Sequence, residues 1–371
     1  MSVSYGGDSI TFADGSVQSG GWTGFKNRII NGAMVIDQRN AGAVVNMTSA
    51  GATYTLDRWV SFNSADSKLT VQQNANSVTP PTGFTNYLGV VSTSAYTATS
   101  AQAFSIGQFI EGYNASDLAW GTANAKTVTI SFWVRSSLTG TFSGSFQNAN
   151  NDRTFAFTYT INTANTWEQK IITVSGDTTG TWGTTTGRGV SLRFNMGSGS
   201  TLLTTEGSWQ AANALGVTGS VSVIGTSGAT WYITGFQLER GSTASSFEYR
   251  PYGTELALCQ RYLPAFTAQS GTVGPLPGNG TALGTGSVLI FNHPVPARVP
   301  GTGVGVSAVT HFNFSNNDGN SPSTAVSFAA GSPDATQLSI TVASSRGATT
   351  TPGWFYANNT AARLYITGCE L

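Results

Sequence analysis

The stretch Thr-Val-Thr-Ile-Ser-Phe-Trp-Val-Arg, residues 127–135, decides the fold class of this chain. Its apolar residues Val128, Ile130, Phe132 and Val134 occupy every second position, with Thr, Ser and Trp between them. A period of two places alternate side chains on opposite faces of a β-strand, whereas an amphipathic helix repeats every three or four residues. We therefore predict a sandwich strand with one face packed into a core.

The same alternation recurs along the rest of the chain, and Gly, Thr, Asn and Asp fill the turns. Further runs occur at Phe155, Phe157, Tyr159 and Ile161; at Val190, Leu192, Phe194 and Met196; at Val288 and Ile290; and at Leu338, Ile340 and Val342. The chain has 371 residues, which is long for one sandwich because domains cluster at about 100–150 residues. We predict an all-β protein with two β-sandwich domains.

One short segment departs from the strand pattern. Between Gly253 and Leu263 the apolar residues have helical spacing, and Pro264 would end the helix. A loop rich in Gly and Pro follows at 269–286. The predicted organisation is an N-terminal attachment segment (1–25), a first sandwich (26–250), a helical connector (251–263) and a second sandwich (264–371).

Two local features support this division. The tetrapeptide Tyr-Ile-Thr-Gly occurs at 232–235 and again at 365–368, close to the end of each predicted domain, which favours a shared architecture. At the other end of the chain, residues 9–18 form a short alternating strand with an Asp-Gly turn. So short a piece has too little core to fold alone, so we expect it to attach to a neighbouring chain.

Charged residues are scarce and balanced. Only 9% of the residues are charged, against about 25% in ordinary domains, and the 17 basic and 17 acidic side chains give zero net charge without a basic stripe. Nucleic-acid binding is therefore not expected. Twenty Phe, twelve Tyr and nine Trp exclude a disordered chain.

The sequence has no signal peptide and no apolar run as long as a membrane span, so we expect synthesis in a host cytoplasm and no membrane insertion. Cys259 and Cys369 are far apart in the sequence. We interpret them as buried reduced thiols, with a disulfide as the alternative.

Short motifs follow one another from residue 10 to residue 262. They are Ile-Thr-Phe-Ala-Asp-Gly-Ser-Val-Gln (10–18), Asn-Arg-Ile-Ile-Asn-Gly-Ala-Met (27–34), Asp-Gln-Arg (37–39), Leu-Asp-Arg-Trp (56–59), Gln-Phe-Ile-Glu-Gly (108–112), Ser-Phe-Trp-Val-Arg-Ser (131–136), Ile-Thr-Gly-Phe-Gln-Leu-Glu (233–239), Phe-Glu-Tyr-Arg-Pro-Tyr (247–252), Glu-Leu (255–256) and Cys-Gln-Arg-Tyr (259–262). In number and order they resemble bacteriophage tail-fibre-like, receptor-binding proteins that carry a jelly-roll similar to carbohydrate-binding modules.

The resemblance covers about residues 1–263 and implies several properties. It implies a jelly-roll-like sandwich, attachment of residues 1–25 to other phage tail or baseplate proteins, a homotrimer, and a location in the virion. It also implies that a distal part, here 264–371, contacts the host surface. Jelly-rolls of this kind often hold a structural Ca²⁺, for which Asn148, Asn150, Asn151 and Asp152 offer oxygens. Because their spacing matches no calcium-loop motif, we expect no cofactor and keep Ca²⁺ as an alternative.

Four aromatic residues are candidates for binding glycans, because aromatic faces stack on sugar rings. Trp182 lies in the Gly-rich and Thr-rich loop 176–187, and Trp209 lies in the Gly207–Gly216 segment. Trp354 and Tyr356 follow a Pro-Gly turn near the chain end. The alternative is that these side chains cap the end of a sandwich or an adjacent subunit. Trp59, Trp133 and Trp231 lie in strand patterns and are interpreted as packing residues.

No catalytic residues are predicted. The charged residues in the motifs, Asp57, Arg58, Glu111, Glu248 and Arg250, are interpreted as structural partners, because buried ions must be compensated. The two histidines, His293 and His311, lack metal-ligand spacing, and no nucleophile elbow or phosphate loop occurs.

The sequence therefore favours a non-enzymatic phage tail fibre that binds host-surface polysaccharide. A structural baseplate, neck or head-decoration fibre without glycan binding is the main alternative. A glycan-degrading tailspike is a lesser one, since such enzymes usually show the short repeats of a long β-helix and this chain does not.

Overall fold

The structure is a computed structural model and describes residues 4–6, 9–11, 17–19, 25–49, 51–268, 274–275, 278–345, 347 and 350–371. Within these residues the regular secondary structure is almost all β-strand, with a single α-helix. It divides into two compact units, Met1–Arg250 and Pro251–Leu371. The predicted all-β class is confirmed.

The first unit contains eighteen strands within the described residues. In chain order they are β1 (Ser4–Gly6), β2 (Ser9–Thr11), β3 (Val17–Ser19), β4 (Val45–Asn46), β5 (Gly51–Tyr54), β6 (Trp59–Asn63), β7 (Leu69–Gln73), β8 (Leu88–Ser92), β9 (Phe104–Glu111), β10 (Val128–Ser136), β11 (Gly140–Gln147), β12 (Thr154–Ile161), β13 (Glu168–Val174), β14 (Arg188–Asn195), β15 (Leu203–Thr204), β16 (Trp209–Gln210), β17 (Gly216–Val217) and β18 (Thr230–Arg240). Short 3₁₀ turns span Ala75–Ser77, Gly112–Asn114, Ser116–Leu118 and Ser200–Leu202.

Two large sheets build the sandwich of this unit. One has six strands in the order β13-β10-β18-β8-β7-β4, and the other has seven in the order β16-β12-β11-β14-β9-β6-β5. β15 and β17 form a short parallel pair, and β1, β2 and β3 form a separate small sheet. Where the sequence predicted one strand over 9–18, the structure has two paired strands, and the Asp-Gly turn between them lies outside the described residues.

The core lies between the two large sheets. The side chains predicted to share one face of residues 127–135, Val128, Ile130, Phe132 and Val134, are all fully buried there. Phe132 from the six-stranded sheet meets Phe194 from the seven-stranded sheet, with ring centroids 5.1 Å apart in a T-shaped contact. Burial of these rings supplies the hydrophobic free energy that holds the two sheets together.

A β-bulge interrupts the central strand β18. The register with β10 shifts so that Ser131 faces Gln237 while Trp133 faces Thr234, leaving an extra residue on β18. Gly235 takes φ +59° at this point, and the Phe84 ring covers it so closely that a Cβ would lie 2.5 Å from the ring. Glycine is required because the left-handed region and the close contact both exclude a side chain.

Charged residues tie residues 26–29 of the first unit to its C-terminal residues 248–250. The Glu248 carboxylate accepts hydrogen bonds from the backbone N–H groups of Lys26 (3.2 Å) and Asn27 (2.8 Å). The Arg250 guanidinium donates to the carbonyl oxygens of Ile29 (3.1 Å) and Asn27, and lies 3.5 Å from Glu248. We call these residues the terminal clamp. Both motif charges therefore have structural partners.

The second unit contains one helix and ten strands within the described residues. They are α1 (Tyr252–Gln260), β19 (Ala265–Thr267), β20 (Gly274–Pro275), β21 (Gly278–Leu283), β22 (Gly286–Asn292), β23 (Gly303–Val306), β24 (Phe312–Asn316), β25 (Gly319–Gly331), β26 (Ala335–Val342), β27 (Thr351–Ala357) and β28 (Arg363–Thr367), with a 3₁₀ turn at Val309–His311.

The strands of the second unit form a sheet of three, β19-β28-β23, and a sheet of seven, β20-β27-β21-β22-β26-β25-β24. An additional β24–β27 pairing closes the larger sheet on itself. The closure gives the edge strand β24 a second neighbour, so that its outer backbone groups are paired. Leu289, Phe314, Leu338 and Phe355 belong to the core of this unit.

One predicted face in this unit is wrong. Val288 and Ile290 were expected inside, but they are 36% and 40% exposed, while Leu289 and Phe291 are fully buried. Residues 288–291 are all apolar, so alternation alone cannot choose between the two faces.

The helix begins at Tyr252 and ends at Gln260, three residues short of the predicted end at Leu263. Cys259 and Cys369 are both buried and do not form a disulfide with each other, and burial raises the pKa of Cys369 to about 11. No helix within the described residues has the length and hydropathy of a membrane span.

Candidate functional site

Two of the predicted binding residues lie together. Trp182 and Trp209 converge with Trp120, and the three ring centroids are 4.8, 5.2 and 5.3 Å apart, all in T-shaped contacts. We call these three residues the tryptophan cluster. Trp120 is 7% exposed, and the other two are half-buried against the core of the first unit.

Backbone carbonyls fix the orientation of two of the indoles. Trp120 follows the turn Ser116–Leu118, and its Nε1 donates to the carbonyl oxygen of Lys126 at 2.7 Å. Trp209 lies on the edge strand β16, and its Nε1 donates to the carbonyl oxygen of Ser175 at 2.7 Å. Each of these two indole N–H groups therefore has a hydrogen-bond partner.

The loop that carries Trp182 is held by a buried carboxylate. Asp177 accepts hydrogen bonds from Arg153 Nη2 (2.6 Å) and Nε (2.9 Å), and from Trp182 Nε1 at 3.3 Å. Burial alone would raise the pKa of Asp177, but the hydrogen bonds from Arg153 and Thr179 outweigh burial and lower the pKa. This bidentate pair explains why a loop that looked unsupported in the sequence packs against the core.

An open pocket of about 250 Å³ lies beside the cluster. Trp120 and Trp182 line it together with the hydroxyl-bearing residues Ser116, Thr122 and Thr184. The other lining residues are Ala115, Ala119, Gly183, Gly189 and Val190. None of the ten lining residues is ionisable, so the pocket offers aromatic surface and hydroxyl groups but no acid or base.

Trp354 and Tyr356 lie on the outer face of β27 in the second unit. Trp354 is 49% exposed, and Tyr356 is half-buried. Asn313 on the neighbouring strand donates to the Tyr356 hydroxyl at 3.0 Å and accepts from Asn358 Nδ2 at 2.7 Å. We call these four residues the aromatic–amide face. It combines an exposed ring with amides already held in position.

Two of the side chains considered for Ca²⁺, Asn148 and Asp152, are hydrogen-bonded to each other. Asn148 Nδ2 donates to Asp152 Oδ1 at 2.6 Å and to the carbonyl oxygen of Thr181 at 3.1 Å, and Asn148 Oδ1 accepts from the backbone N–H groups of Asp152 and Arg153. Within the described residues no cluster of three or more His, Cys, Asp or Glu side chains is found.

The remaining ionisable candidates have structural partners. Asp57 is fully buried and accepts hydrogen bonds from Gln38 N (2.9 Å) and Nε2 (2.6 Å). Arg58 donates to the carbonyl oxygen of Phe109. His293 is hydrogen-bonded to the Pro333 carbonyl and the Thr336 hydroxyl, at 2.7 and 2.9 Å, and so holds a turn in place.

Sequence reasoning missed Trp120 as a site residue. Its signal was the Ala119-Trp120-Gly121 context, a large ring between small residues after a turn, and not a strand pattern. The contact with Trp182 and Trp209 joins segments that are far apart in the chain. Alternation within one strand cannot reveal such a contact.

No protein-family model matches the chain, and no curated protein matches it significantly. Solved structures with partial likeness include the enzymatically active domain of tailspike protein 4 from Bacteriophage CBA120, with 11% identity, a TM-score of 0.31 and coverage of 58% of this chain. The matched part is 22% of that tailspike chain.

Two further structures are carbohydrate-binding modules. A family 11 module from Clostridium thermocellum, in complex with a β-1,3-1,4-mixed-linked tetrasaccharide, has 12% identity and a TM-score of 0.26, covering 56% of this chain and 98% of its own. A tandem family 22 module from Paenibacillus barcinonensis has 9% identity and a TM-score of 0.25, covering 88% and 96%. These scores are too low to establish relationship or function, which must be inferred from the site itself.

Proposed function

We propose that this protein is a non-enzymatic structural component of a bacteriophage particle, a tail fibre that binds host-surface glycans. The binding site of the first unit is the pocket at the tryptophan cluster. The aromatic–amide face of the second unit adds a shallow contact. Residues 1–25 attach the fibre to tail or baseplate proteins.

The pocket beside Trp120 and Trp182 carries this proposal. Sugar rings present an apolar face that packs on an indole and an edge of hydroxyl groups that exchange hydrogen bonds with side chains such as Ser116 and Thr184. The Trp182 ring is fixed by Asp177, so little conformational entropy is lost when a ligand packs on it. The pocket is therefore suited to a neutral polyol surface.

The chemistry of the lining favours binding over hydrolysis. Cleavage of a glycosidic bond usually needs two carboxyl groups facing the scissile bond. The lining of the pocket contains no carboxyl group, and Asp177 behind it is occupied by Arg153. We propose accordingly that no enzymatic step takes place at this site.

A homotrimer would compensate for a weak single site. An open pocket of this size gives a modest affinity for one sugar chain, but three linked copies raise the effective concentration of the second and third contacts. Adsorption would then depend on the number of sites that engage together.

The test is competition for host cells. Soluble full-length protein should reduce adsorption of the parent particle, and Trp182→Ala should reduce this competition about 10-fold or more, because a stacked base or sugar ring contributes roughly a tenfold factor or more in affinity. Trp167→Ala is the matched control, since Trp167 is also half-buried and hydrogen-bonded to a carbonyl but lies away from the pocket.

The other outcomes decide between the alternatives. If the wild-type protein does not compete, the adhesive role is wrong, and a structural baseplate, neck or decoration role replaces it. If incubation with host polysaccharide releases new reducing ends, the protein is a depolymerising tailspike and the non-enzymatic assignment fails.

A further inference from the structure

The pocket at the tryptophan cluster is lined by residues of two kinds. Ala115, Trp120 and Val190 are 8%, 7% and 2% exposed and contribute methyl, indole and isopropyl surface. We call these three residues the floor of the pocket. The three hydroxyl-bearing lining residues are all exposed, and we call them the rim. Hydroxyl groups therefore lie near solvent, whereas the most buried part of the lining is apolar.

The two indoles of the pocket have already used their polar atoms. Trp120 Nε1 donates to the carbonyl oxygen of Lys126 at 2.7 Å. Trp182 Nε1 donates to the carbonyl oxygen of Thr179 at 3.2 Å and lies 3.3 Å from an Asp177 oxygen. Since an indole has no other polar atom, both rings offer a ligand their carbon surface.

The backbone of the turn beside the floor is also hydrogen-bonded within the protein. The N–H of Ala115 donates to the Gly112 carbonyl at 3.0 Å, and the Ala115 carbonyl accepts from the Leu118 N–H at 3.0 Å. Ala119 is half-buried next to the floor, and its carbonyl accepts from the Thr122 hydroxyl at 2.7 Å. A ligand hydroxyl placed against this surface would exchange water for hydrocarbon neighbours, which is unfavourable. A methyl group in the same place gains free energy by leaving water.

The volume of the pocket limits how much of a glycan can enter it. At about 250 Å³ it is smaller than the roughly 300–1,000 Å³ of pockets that enclose drug-sized ligands. We therefore expect it to take one sugar residue, with the neighbouring residues of the chain outside. One substituent of that residue then meets the floor, while its ring hydroxyls face the rim.

We propose that the floor binds a methyl group, so that the pocket selects sugars that carry one. The methyl belongs either to an acetamido group or to a 6-deoxyhexose, which present the same apolar group at the edge of a hydroxylated ring. Ala115 and Val190 contact the methyl and determine this specificity. The proposal rests on the glycan-binding function above and adds the chemical class of the sugar.

The experiment uses the full-length protein and ligand-observed NMR titrations with matched pairs of free sugars. L-fucose is compared with L-galactose and L-rhamnose with L-mannose, because each pair differs only in a methyl against a hydroxymethyl group. N-acetylglucosamine is compared with N-formylglucosamine, which lacks the methyl. In at least one pair the methyl-bearing sugar should bind about 10-fold or more tightly, as is typical of one such group in an apolar pocket.

Adding a hydroxyl to the floor should weaken this preference. Ala115→Ser keeps the size of the side chain nearly constant and gives a ligand hydroxyl a partner, so the ratio of affinities within the pair should fall about 3-fold or more. Ala119→Ser repeats the test at a half-buried position of the same lining, where a hydroxyl is less disruptive to folding.

The matched control is Ala229→Ser. Ala229 is 2% exposed in the same hydrophobic core and is not among the residues that line the pocket. This variant should lose stability as Ala115→Ser does, which melting temperatures measure, but it should keep the wild-type preference. An equal fall in the preference in the control would mean that the change does not act at the floor, and the proposal would be wrong.

A preference in a deoxy pair assigns the 6-deoxyhexose, and a preference in the N-acyl pair assigns the acetamido group. Absence of any preference in the wild type, including absence of binding, overturns the proposal, and so does an unchanged preference in the folded serine variants. Competition for host cells without a methyl preference would leave the adhesive function intact and remove only this specificity. A methyl preference without competition would retain the subsite and remove the adhesive function.

Discussion

Asp57 is a buried carboxylate that accepts hydrogen bonds from Gln38. Burial is the largest influence and raises the pKa of Asp57 to about 6, although the hydrogen bonds from Gln38 act in the opposite direction. The unfolded chain binds the same proton with a pKa near 3.8. The folded state therefore holds this proton more tightly than the unfolded state.

The stability contributed by Asp57 should accordingly be complete below pH 4 and should fall as the pH rises through 6. The loss should reach up to about 3 kcal/mol, since each pKa unit corresponds to about 1.4 kcal/mol. Chemical denaturation between pH 3.5 and 7.5 measures this slope. Asp57→Asn should flatten it, and the exposed Asp66→Asn, as a control, should not; an unchanged slope in Asp57→Asn would contradict the assignment.

Trp354 and Phe355 are adjacent residues on opposite faces of β27. Trp354 is 49% exposed, whereas Phe355 is fully buried. We expect Trp354→Ala to change the free energy of unfolding by no more than about 0.5 kcal/mol, and Phe355→Ala to lower it by about 3–5 kcal/mol. Denaturant titrations of both variants test this, and a large loss in Trp354→Ala would show that its ring is needed for packing.

The order of apolar and polar residues predicted many of the side chains that are buried. Val128, Ile130 and Phe132 were assigned to the core because polar residues alternate with them. The same rule failed at Val288, where both faces are apolar and only the partner sheet decides which one is inside. Alternation therefore identifies strands more reliably than it orients them.

At the scale of elements, the bulge at Gly235 sets the geometry of β18. Gly235→Ala would place a Cβ 2.5 Å from the Phe84 ring in a residue with φ +59°. We expect a loss of about 2 kcal/mol or more, from the left-handed backbone and the clash together.

Gly228→Ala is the matched control for that substitution. Gly228 also has a positive φ, +75°, but no atom lies within 4 Å of its Cβ position. It should lose only about 1 kcal/mol, the cost of the backbone alone. Equal losses in the two variants, measured by urea unfolding, would mean that the Phe84 contact contributes nothing.

The Asp177–Arg153 pair holds the loop that carries Trp182. Asp177→Asn should lower stability by about 2–4 kcal/mol, because it leaves Arg153 without its buried counter-charge. It should also increase amide hydrogen exchange over residues 178–187 and weaken glycan binding. Lys170→Met removes a pair with Glu168 at the edge strand β13 and serves as the control. Unchanged exchange in Asp177→Asn would rule out the pair as the support of the loop.

The contact between Asp177 and Arg153 could not be predicted from the sequence. The composition of residues 176–187 suggested an unsupported loop, and Trp182 was singled out for that reason. Its support comes from Arg153, which immediately precedes β12, and from Trp120 in an earlier turn. Such contacts depend on which strands become neighbours, and a local pattern does not contain that information.

At the scale of the whole molecule, each unit has its own hydrophobic core. We expect two calorimetric transitions. Phe132→Ala should shift one of them and Leu338→Ala the other, each by the 2–5 kcal/mol that is typical of a core truncation. A single transition that both variants shift equally would show that the units unfold as one.

The scarcity of charge is also a property of the whole chain, and it could be read directly from composition. The closure of the larger sheet in the second unit could not be predicted from composition. It depends on one pairing between β24 and β27, which are far apart in sequence. Composition therefore predicts how few charges the surface carries, whereas the pairing of strands determines the form of the sheet.

The terminal clamp has a mechanical consequence. A pulling force applied to residues 26 and 250 acts on two points that are close in space. They are close because Glu248 and Arg250 are hydrogen-bonded to Lys26, Asn27 and Ile29. The load passes across this junction and is not transmitted along the sheets. Pulling these two residues apart should therefore break the clamp before it loads the strands of the two sheets.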